Sequence, residues 1–284
     1  MDIIGHRGNQ EKYVENSYNA IIDCSNNQNI DGTEFDVRPT KDGNIVVIHN
    51  SKINGKKIID LTTKEIKQMD FQTMKIDQLV QRIRNLKKDD TYFKDIYKQR
   101  GKETSKIPTL EEILKEYDKT KHMLIELKGQ KGEYSSTEQE EYEKKLIELL
   151  KQYDYKNRNI ALEGYNLEAL LRIKNQLPDL KTISLINKKG NLDSLNMGFE
   201  GASIEHLIIT NNLIERMMKE NLKLYSWDDK TPNKHYEHIK NIKTTFQNEL
   251  KNNQLDMTII NDFPEEARKR IIWYFCEFTN FINV

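Results

Sequence analysis

From residue 107 onward the chain alternates short apolar runs with longer amphipathic ones, and this alternation limits the fold more than any other feature. Extended runs stand at Met123–Lys128, Asn159–Glu163, Thr182–Ile186, Gly201–Ile204, Leu222–Trp227 and Met257–Ile260. Helical patterns cover Glu140–Gln152, Leu167–Gln176, Asn211–Glu220 and His235–Asn252, and a last helix starts at Pro264 and runs to about Phe278. The amino-terminal part adds an apolar strand from Asp2, a helix over Glu15–Cys24 and a strand from Thr33, which is a βαβ opening. About eight strands alternating with helices predict a closed (β/α)₈ TIM barrel over an open doubly wound sheet. With no fixed-period repeat and no low-complexity linker, residues 1–284 read as one domain.

The stretch Gly32–Asn50 reads as a β-hairpin, Thr33–Thr40 and Asn44–Asn50 around Asp42-Gly43. Taken as the two residues of a type I′ turn, Asp42-Gly43 sets Asp36 opposite His49 and Arg38 opposite Val47. Alternation puts Glu34 and Asp36 on one face, with Phe35 and Val37 on the other.

Residues 51–106 read as a small, mostly helical insertion on the barrel top, rich in Lys, Asp and Gln. Thr62 and Glu65 have the spacing of a capping box, and Ile76, Leu79, Val80 and Ile83 form one stripe of a helix over 77–86. After it, Thr109 is placed to cap a helix ending near Tyr117.

Lys+Arg and Asp+Glu balance at 45 each, so there is no net pull toward nucleic acid or an anionic membrane. Two cysteines, Cys24 and Cys276, make no disulfide scaffold and read as buried thiols. No apolar run reaches the ~18 residues of a membrane span, and no leader pattern precedes the first strand. These features point to a soluble, cytoplasmic protein.

In a barrel of this type, chemistry lies at the carboxyl ends of the strands. His6 and Arg7 fall there on the first strand, Glu34 and Asp36 on the second, and Glu126 and Lys128 on the third, with His49 returned to the rim by the hairpin. Three carboxylates at one rim repel unless a cation joins them, and all-oxygen ligation suits Mg²⁺ or Ca²⁺. Arg7 and Lys128 add positive charge suited to a phosphodiester, and two histidines can divide the proton work. The glycines around His6-Arg7, Gly5 and Gly8, would let backbone approach a ligand closely. The assembly specifies cleavage of a small-molecule phosphodiester.

The sequence resembles the glycerophosphodiester phosphodiesterase family. The matching stretches are Ile4-Gly5-His6-Arg7-Gly8, Glu15-Asn16-Ser17, Asp31 to Val37, Thr40 to Gly43, Val46 to Asn50, Asp60-Leu61-Thr62, Ile107 to Glu112 and Ile125-Glu126-Leu127-Lys128. Trp227 and Asn261-Asp262-Phe263-Pro264 resemble the family's last two strand ends, so the likeness runs the full length. It implies a TIM barrel with a small inserted domain, one divalent cation on Glu34, Asp36 and Glu126, catalysis by His6 and His49, and phosphate contacts from Arg7 and Lys128. The implied reaction releases an alcohol and leaves sn-glycerol 3-phosphate, with a neighbouring glycerol hydroxyl able to attack first. The alternative is phospholipase-D-like cleavage of a lysophospholipid on the same barrel.

Departures gather on the substrate side. Lys52-Ile53-Asn54-Gly55 replaces an Arg-Thr-Thr stretch, Asp70 to Met74 replaces a Gly- and aromatic-containing segment, Glu163-Gly164-Tyr165 replaces Ser-Phe, and Asp228-Asp229 follows Trp227. Glu163 and Trp227 are therefore read as substrate contacts, Trp227 by stacking or as packing. His122, His206, His235 and His238 share no ligand spacing, and His235 and His238 are expected on a solvated helix face. Arg82, Arg84, Lys87 and Lys88 read as a solvated face of the insertion, and Ile271 to Phe275 as the helix that seals the barrel.

Overall fold

In chain order the strands are β1 (Asp2–His6), β2 (Gly32–Pro39), β3 (Ile45–Val47), β4 (Lys52–Ile53), β5 (Lys56–Lys57), β6 (His122–Leu127), β7 (Ile160–Gly164), β8 (Lys181–Ile186), β9 (Gly201–Glu205), β10 (Lys223–Trp227) and β11 (Met257–Asn261). The helices are α1 (Tyr18–Asn26), α2 (Thr63–Gln68), α3 (Leu110–Glu116), α4 (Ser136–Gln152), α5 (Leu167–Gln176), α6 (Asn211–Lys219), α7 (Pro232–Thr245), α8 (Gln247–Lys251) and α9 (Pro264–Thr279). The computed structural model describes residues 1–69, 95–96, 106–187, 192–228 and 232–279.

Strands β1, β2 and β6 to β11 pair in parallel, and β1 pairs with both β2 and β11, so the eight-stranded barrel closes as expected. Its interior is filled by Ile4, Leu124, Ala161, Ile183, Tyr225 and Ile260, with Trp227 packed against them. The side-chain period of two then dictates the mouth. Two residues beyond each of these fillers stand His6, Glu126, Glu163, Leu185, Trp227 and Asp262. Parallel register holds them level: His6 pairs with Glu34, Asp36 with Glu126, and Glu126 with Glu163.

Outward-facing residues of the same strands bury the helices. Phe35, Val37, Ile125 and Leu127 share one apolar cluster with Leu110, Leu146 and Leu170, and Ile204, Leu224 and Ile259 share another with Met217, Ile239 and Ile271. Burial of each such side chain stabilises by about 1.5–3 kcal/mol. Close packing of β2 on β6 requires Gly32, where a Cβ would sit 2.1 Å from the His122 carbonyl oxygen.

Most elements lie where the pattern puts them, and the differences have local causes. Helix α1 begins at Tyr18 because Ser17 caps it, accepting from Ala20 N, which leaves Glu15 and Asn16 in the preceding loop. Helix α4 starts at Ser136 because Ser135 and Glu138 form a capping box. The helix expected over 235–252 is two, broken at Phe246, which leaves helical backbone angles and is buried. Capping boxes at Thr62 and Thr109 form as expected.

The hairpin register is one residue off the expected one. Val37 pairs with Val47 and Arg38 with Val46, so the Asp36–His49 cross-strand pair does not exist. The reason is the turn. Of the turn residues only Gly43 takes a positive φ, of 73°; Asp42 does not, and its side chain is held by Thr40 Oγ1 and by the backbone N–H of Thr63. A three-residue loop results, closed by Thr40 N donating to Asn44 O, in place of a two-residue type I′ turn.

In the inserted region, β4 and β5 form a two-stranded hairpin turned by Asn54-Gly55, both at positive φ. Ile53, Ile58, Leu61 and Ile66 pack with Val46, Ile48 and Ile107 behind β3. The helix expected over 77–86, the Asp70 to Met74 segment and Arg82, Arg84, Lys87 and Lys88 lie outside the described residues. So do the side chains of Cys276 and of the apolar run beyond Ile271, which is itself buried. Cys24 is a buried free thiol. Among the described residues, no helix is long and apolar enough to cross a membrane.

His235 is not solvated. It is fully buried, with Nε2 2.9 Å from Ser226 Oγ, because its side of α7 packs on β10.

Candidate active site

One cavity of about 140 Å³ opens at the barrel mouth, lined by His6, Arg7, Glu34, His49, Glu126, Lys128, Glu163 and Trp227, with Tyr165, Leu185 and Ile260 completing its wall. Asp36 lies against it through Arg7 and Lys128. The nine residues singled out from the sequence are thus gathered at one place. His49 gets there by a route other than the expected one: it follows the end of β3, and its carbonyl accepts a hydrogen bond from Arg38 Nε at 2.9 Å.

The loop after β1 positions the cationic side. Arg7 takes a left-handed φ of 55°, which turns its backbone N–H toward Glu34 Oε2 at 2.9 Å. Its Nη1 donates to both oxygens of Glu15 at 3.2 Å. Its Nε lies 3.2 Å from Asp36 Oδ2, close enough for an ion pair but not aligned as a hydrogen bond. Burial opposes the guanidinium charge, but Glu15, Asp36 and Glu34 outweigh it and push the Arg7 pKa up. Gly5 and Gly8 serve packing within the protein: a Cβ on Gly8 would meet Ala20 at 2.6 Å, and one on Gly5 would meet Cys24 Sγ at 2.7 Å. They let this loop lie against α1, where the sequence suggested approach to a ligand.

Opposite stands Lys128, whose Nζ is 2.7 Å from Glu126 Oε1 and 2.9 Å from Asp36 Oδ1. Burial opposes its charge too, but Asp36 and Glu126 raise its pKa. For Asp36 burial works upward, yet Lys128 and Arg7 prevail and hold the carboxyl well below its usual range. Glu34 is pushed well above its usual range, first by burial and then by Asp36, Glu163 and Glu126. Glu126 is raised mainly by burial. Burial and then Glu126 push Glu163 up to about 8. His49 is driven down to about 3, first by the Arg7 charge and then by burial.

These residues fit a divalent ion. Glu34, Asp36 and Glu126 are all buried, and each offers an oxygen within 4.8 Å of the others'. Glu34 Oε1 is buried and has no hydrogen-bond partner, while Asp36 Oδ1 is met by Lys128 Nζ at 2.9 Å. Buried carboxylates at such spacing need more positive charge than Arg7 and Lys128 supply, as the raised Glu34 and Glu126 show. An all-carboxylate set is the donor chemistry of a hard cation.

Four residues were not singled out from the sequence and hold the others in place. Asp262 Oδ1 lies 2.6 Å from His6 Nδ1. Gln10 Nε2 donates to the same oxygen at 2.9 Å and to the His6 carbonyl at 2.8 Å. Asn16 Nδ2 donates to Asp36 Oδ2 at 2.7 Å, and Glu15 clamps Arg7. The signal for three of them was present, since Glu15, Asn16 and Asp262 sit inside stretches that carried the family likeness.

Fold and site together define a class, a (β/α)₈-barrel hydrolase of phosphodiesters. A sequence profile of the glycerophosphoryl diester phosphodiesterase family matches residues 6–265, and the chain belongs to that family. It is 28% identical over 235 residues to a glycerophosphodiester phosphodiesterase of Caldanaerobacter subterraneus subsp. tengcongensis, covering 79% of this chain and 84% of that one. Its fold is similar to that of a glycerophosphodiester phosphodiesterase from Parabacteroides distasonis, with a TM-score of 0.69, 20% identity and coverage of 96% and 98% of the two chains. It is likewise similar to an Oleispira antarctica phosphodiesterase solved in complex with its product sn-glycerol-3-phosphate, with a TM-score of 0.67, 19% identity and coverage of 96% and 97%.

Proposed function

We propose that this chain hydrolyses glycerophosphodiesters to an alcohol and sn-glycerol 3-phosphate. The observation that carries the reading is the trio of buried carboxylates between Arg7 and Lys128, with His6 and His49 on the same cavity. Glu34, Asp36 and Glu126 would hold one Mg²⁺ or Ca²⁺, which when bound neutralises the trio and polarises a phosphoryl oxygen. Arg7 and Lys128 bind the anionic phosphodiester and stabilise charge that grows on its oxygens.

His6 and His49 divide the proton work. Asp262 fixes a proton on His6 Nδ1 and compensates the charge of a doubly protonated ring, so Nε2 can deliver a proton to the leaving alcohol oxygen. His49, whose side-chain hydrogen bond is to neighbouring Asn50 Oδ1 at 3.3 Å, takes the proton from the attacking hydroxyl. That hydroxyl belongs to the glycerol beside the phosphate, and water then opens the cyclic phosphate.

On the far wall, Glu163 Oε2 is a buried acceptor and Trp227 Nε1 a buried donor, both without a hydrogen-bond partner. Both residues line the cavity, and polar hydroxyls of a glycerol moiety would satisfy them. The sequence-based alternative, phospholipase-D-like cleavage of a lysophospholipid, has no observation in its favour. The cytoplasmic reading rests on the sparse cysteines. Incubating the purified chain with glycerophosphocholine, glycerophosphoethanolamine and glycerophosphoglycerol, with Mg²⁺ or Ca²⁺, tests the function. Release of the alcohol from at least one is expected, and no turnover with either ion would end the reading.

A further inference from the structure

His49 stands beyond the strands that carry it to the barrel mouth. The last rung between β2 and the segment after β3 is Ile48 N donating to Asp36 O at 2.9 Å. Past that rung the chain bends, and a side chain holds the His49 backbone: Arg38 Nε donates to its carbonyl at 2.9 Å. The His49 ring has a hydrogen bond with Asn50 Oδ1 at 3.3 Å, but Asn50 is its own chain neighbour. Among the described residues, Arg38 is thus the one side chain that holds His49 from outside its own segment.

Arg38 is itself braced. It lies on β2 two residues after Asp36, is 7% exposed and does not line the cavity. Its Nη1 donates to Glu133 Oε1 at 2.6 Å and to Tyr134 OH at 3.0 Å. Both partners belong to the loop between β6 and α4, the loop that begins with Lys128. Glu133 is pinned there: its Oε2 accepts from Gln130 N at 3.2 Å, and its N–H donates to Gln130 O at 2.9 Å. Tyr134 lies against Gly129, where a Cβ would come within 2.4 Å of its ring. It also meets Tyr142 edge-on, with centroids 6.0 Å apart, and Tyr142 OH donates to Val37 O at 2.7 Å. A guanidinium carries its donors in a rigid planar fork, so fixing Nη1 also aims Nε.

We infer that Arg38 is a positioning residue for His49: braced by Glu133 and Tyr134, it sets where the His49 ring stands relative to the attacking hydroxyl without touching substrate. The inference rests on the proton-transfer role proposed above for His49. Misplacing such a group by about 1 Å costs on the order of 10²-fold in rate, whereas substrate binding has no contact with Arg38 to lose.

The test is a double-mutant cycle with Mg²⁺ or Ca²⁺ present, on whichever of the three glycerophosphodiesters turns over fastest, with kcat and KM read separately. Arg38→Ala should lower kcat by about 10–10²-fold and leave KM within about twofold. His49→Ala should lower kcat by about 10²–10⁴-fold. The Arg38→Ala/His49→Ala variant should be no slower than His49→Ala alone, because the two residues act as a unit. Circular dichroism shows whether Arg38→Ala folds. Tyr134→Phe removes one hydroxyl of the brace and is the milder second variant; it should lower kcat by about threefold with KM unchanged, and cost nothing in a His49→Ala background. Unchanged kcat in folded Arg38→Ala, or in Tyr134→Phe where Arg38→Ala does not fold, overturns the inference. Multiplied losses in the double variant overturn it while leaving the role of His49 intact. Wild-type kcat in His49→Ala instead ends the role proposed for His49, and this inference with it.

Discussion

His6 Nδ1 and Asp262 Oδ1 lie 2.6 Å apart, although 256 residues separate them in the chain. They meet because β1 and β11 are the neighbours that close the barrel. The carboxylate accepts from Nδ1–H and leaves Nε2 facing the cavity, 3.8 Å from Glu34. His6→Ala should lower kcat by about 10²–10⁴-fold. Asp262→Ala should lower kcat with little change in KM, since it acts by positioning His6. The double variant should be no slower than His6→Ala alone, because the two act as a unit. Additive losses in the double variant would show that Asp262 acts through something else.

Metal should be visible in stability as well as in rate. An ion at 100 times its Kd adds about 2.7 kcal/mol to the folded state, which for a chain of this size raises Tm by roughly 5 °C or more. Thermal unfolding with Mg²⁺ or Ca²⁺ and after chelation measures it. The shift should vanish in Glu126→Gln, and a wild-type Tm indifferent to both ions would contradict a hard-cation site at the trio.

Glu163 and Trp227 should show themselves through the substrate. If their unpaired groups hold a glycerol hydroxyl, Glu163→Ala should raise KM for glycerophosphocholine by about 10-fold or more, since a buried partner left unsatisfied costs ~1–3 kcal/mol. A phosphodiester that keeps the attacking hydroxyl but lacks the second glycerol hydroxyl, such as 2-hydroxypropyl phosphocholine, should lose far less. Equal losses on both would place Glu163 with the phosphate machinery.

At the other end of the barrel, His122 sets an acid limit on stability. Burial, and after it the Lys223 charge, push its pKa from 6.5 down to about 4, and Tyr225 OH lies 3.1 Å from its Nε2. Between these values the unfolded chain binds the proton and the folded chain does not. The His122 contribution is therefore full above pH 6.5 and is lost as pH falls toward 4, by roughly 3 kcal/mol. Urea unfolding at pH 7 and pH 5 should show a smaller drop for His122→Gln than for the wild-type chain.

The barrel, and the gathering of most of the nine residues at its mouth, were legible because both follow from local pattern. Inward-facing residues recur every second position, so apolar Ile4, Leu124 and Ala161 lead directly to His6, Glu126 and Glu163. What escaped reading depended on a single backbone angle or on distant packing. Asp-Gly suggested a two-residue turn, but Asp42 is bound by Thr40 and Thr63, and the register moved by one. Asp262, Gln10 and Asn16 matter through contacts that only the closed barrel creates. His235 looked solvated from its polar helix, yet it faces Ser226 on β10.

Product analysis on glycerophosphocholine tests the central claim most directly. With Mg²⁺ or Ca²⁺ present, the purified chain should form sn-glycerol 3-phosphate and choline in equal amounts, stop when the ion is chelated, and slow by about 10²–10⁴-fold in His6→Ala. Formation of glycerol and phosphocholine, or hydrolysis indifferent to both the ion and His6, would contradict the account.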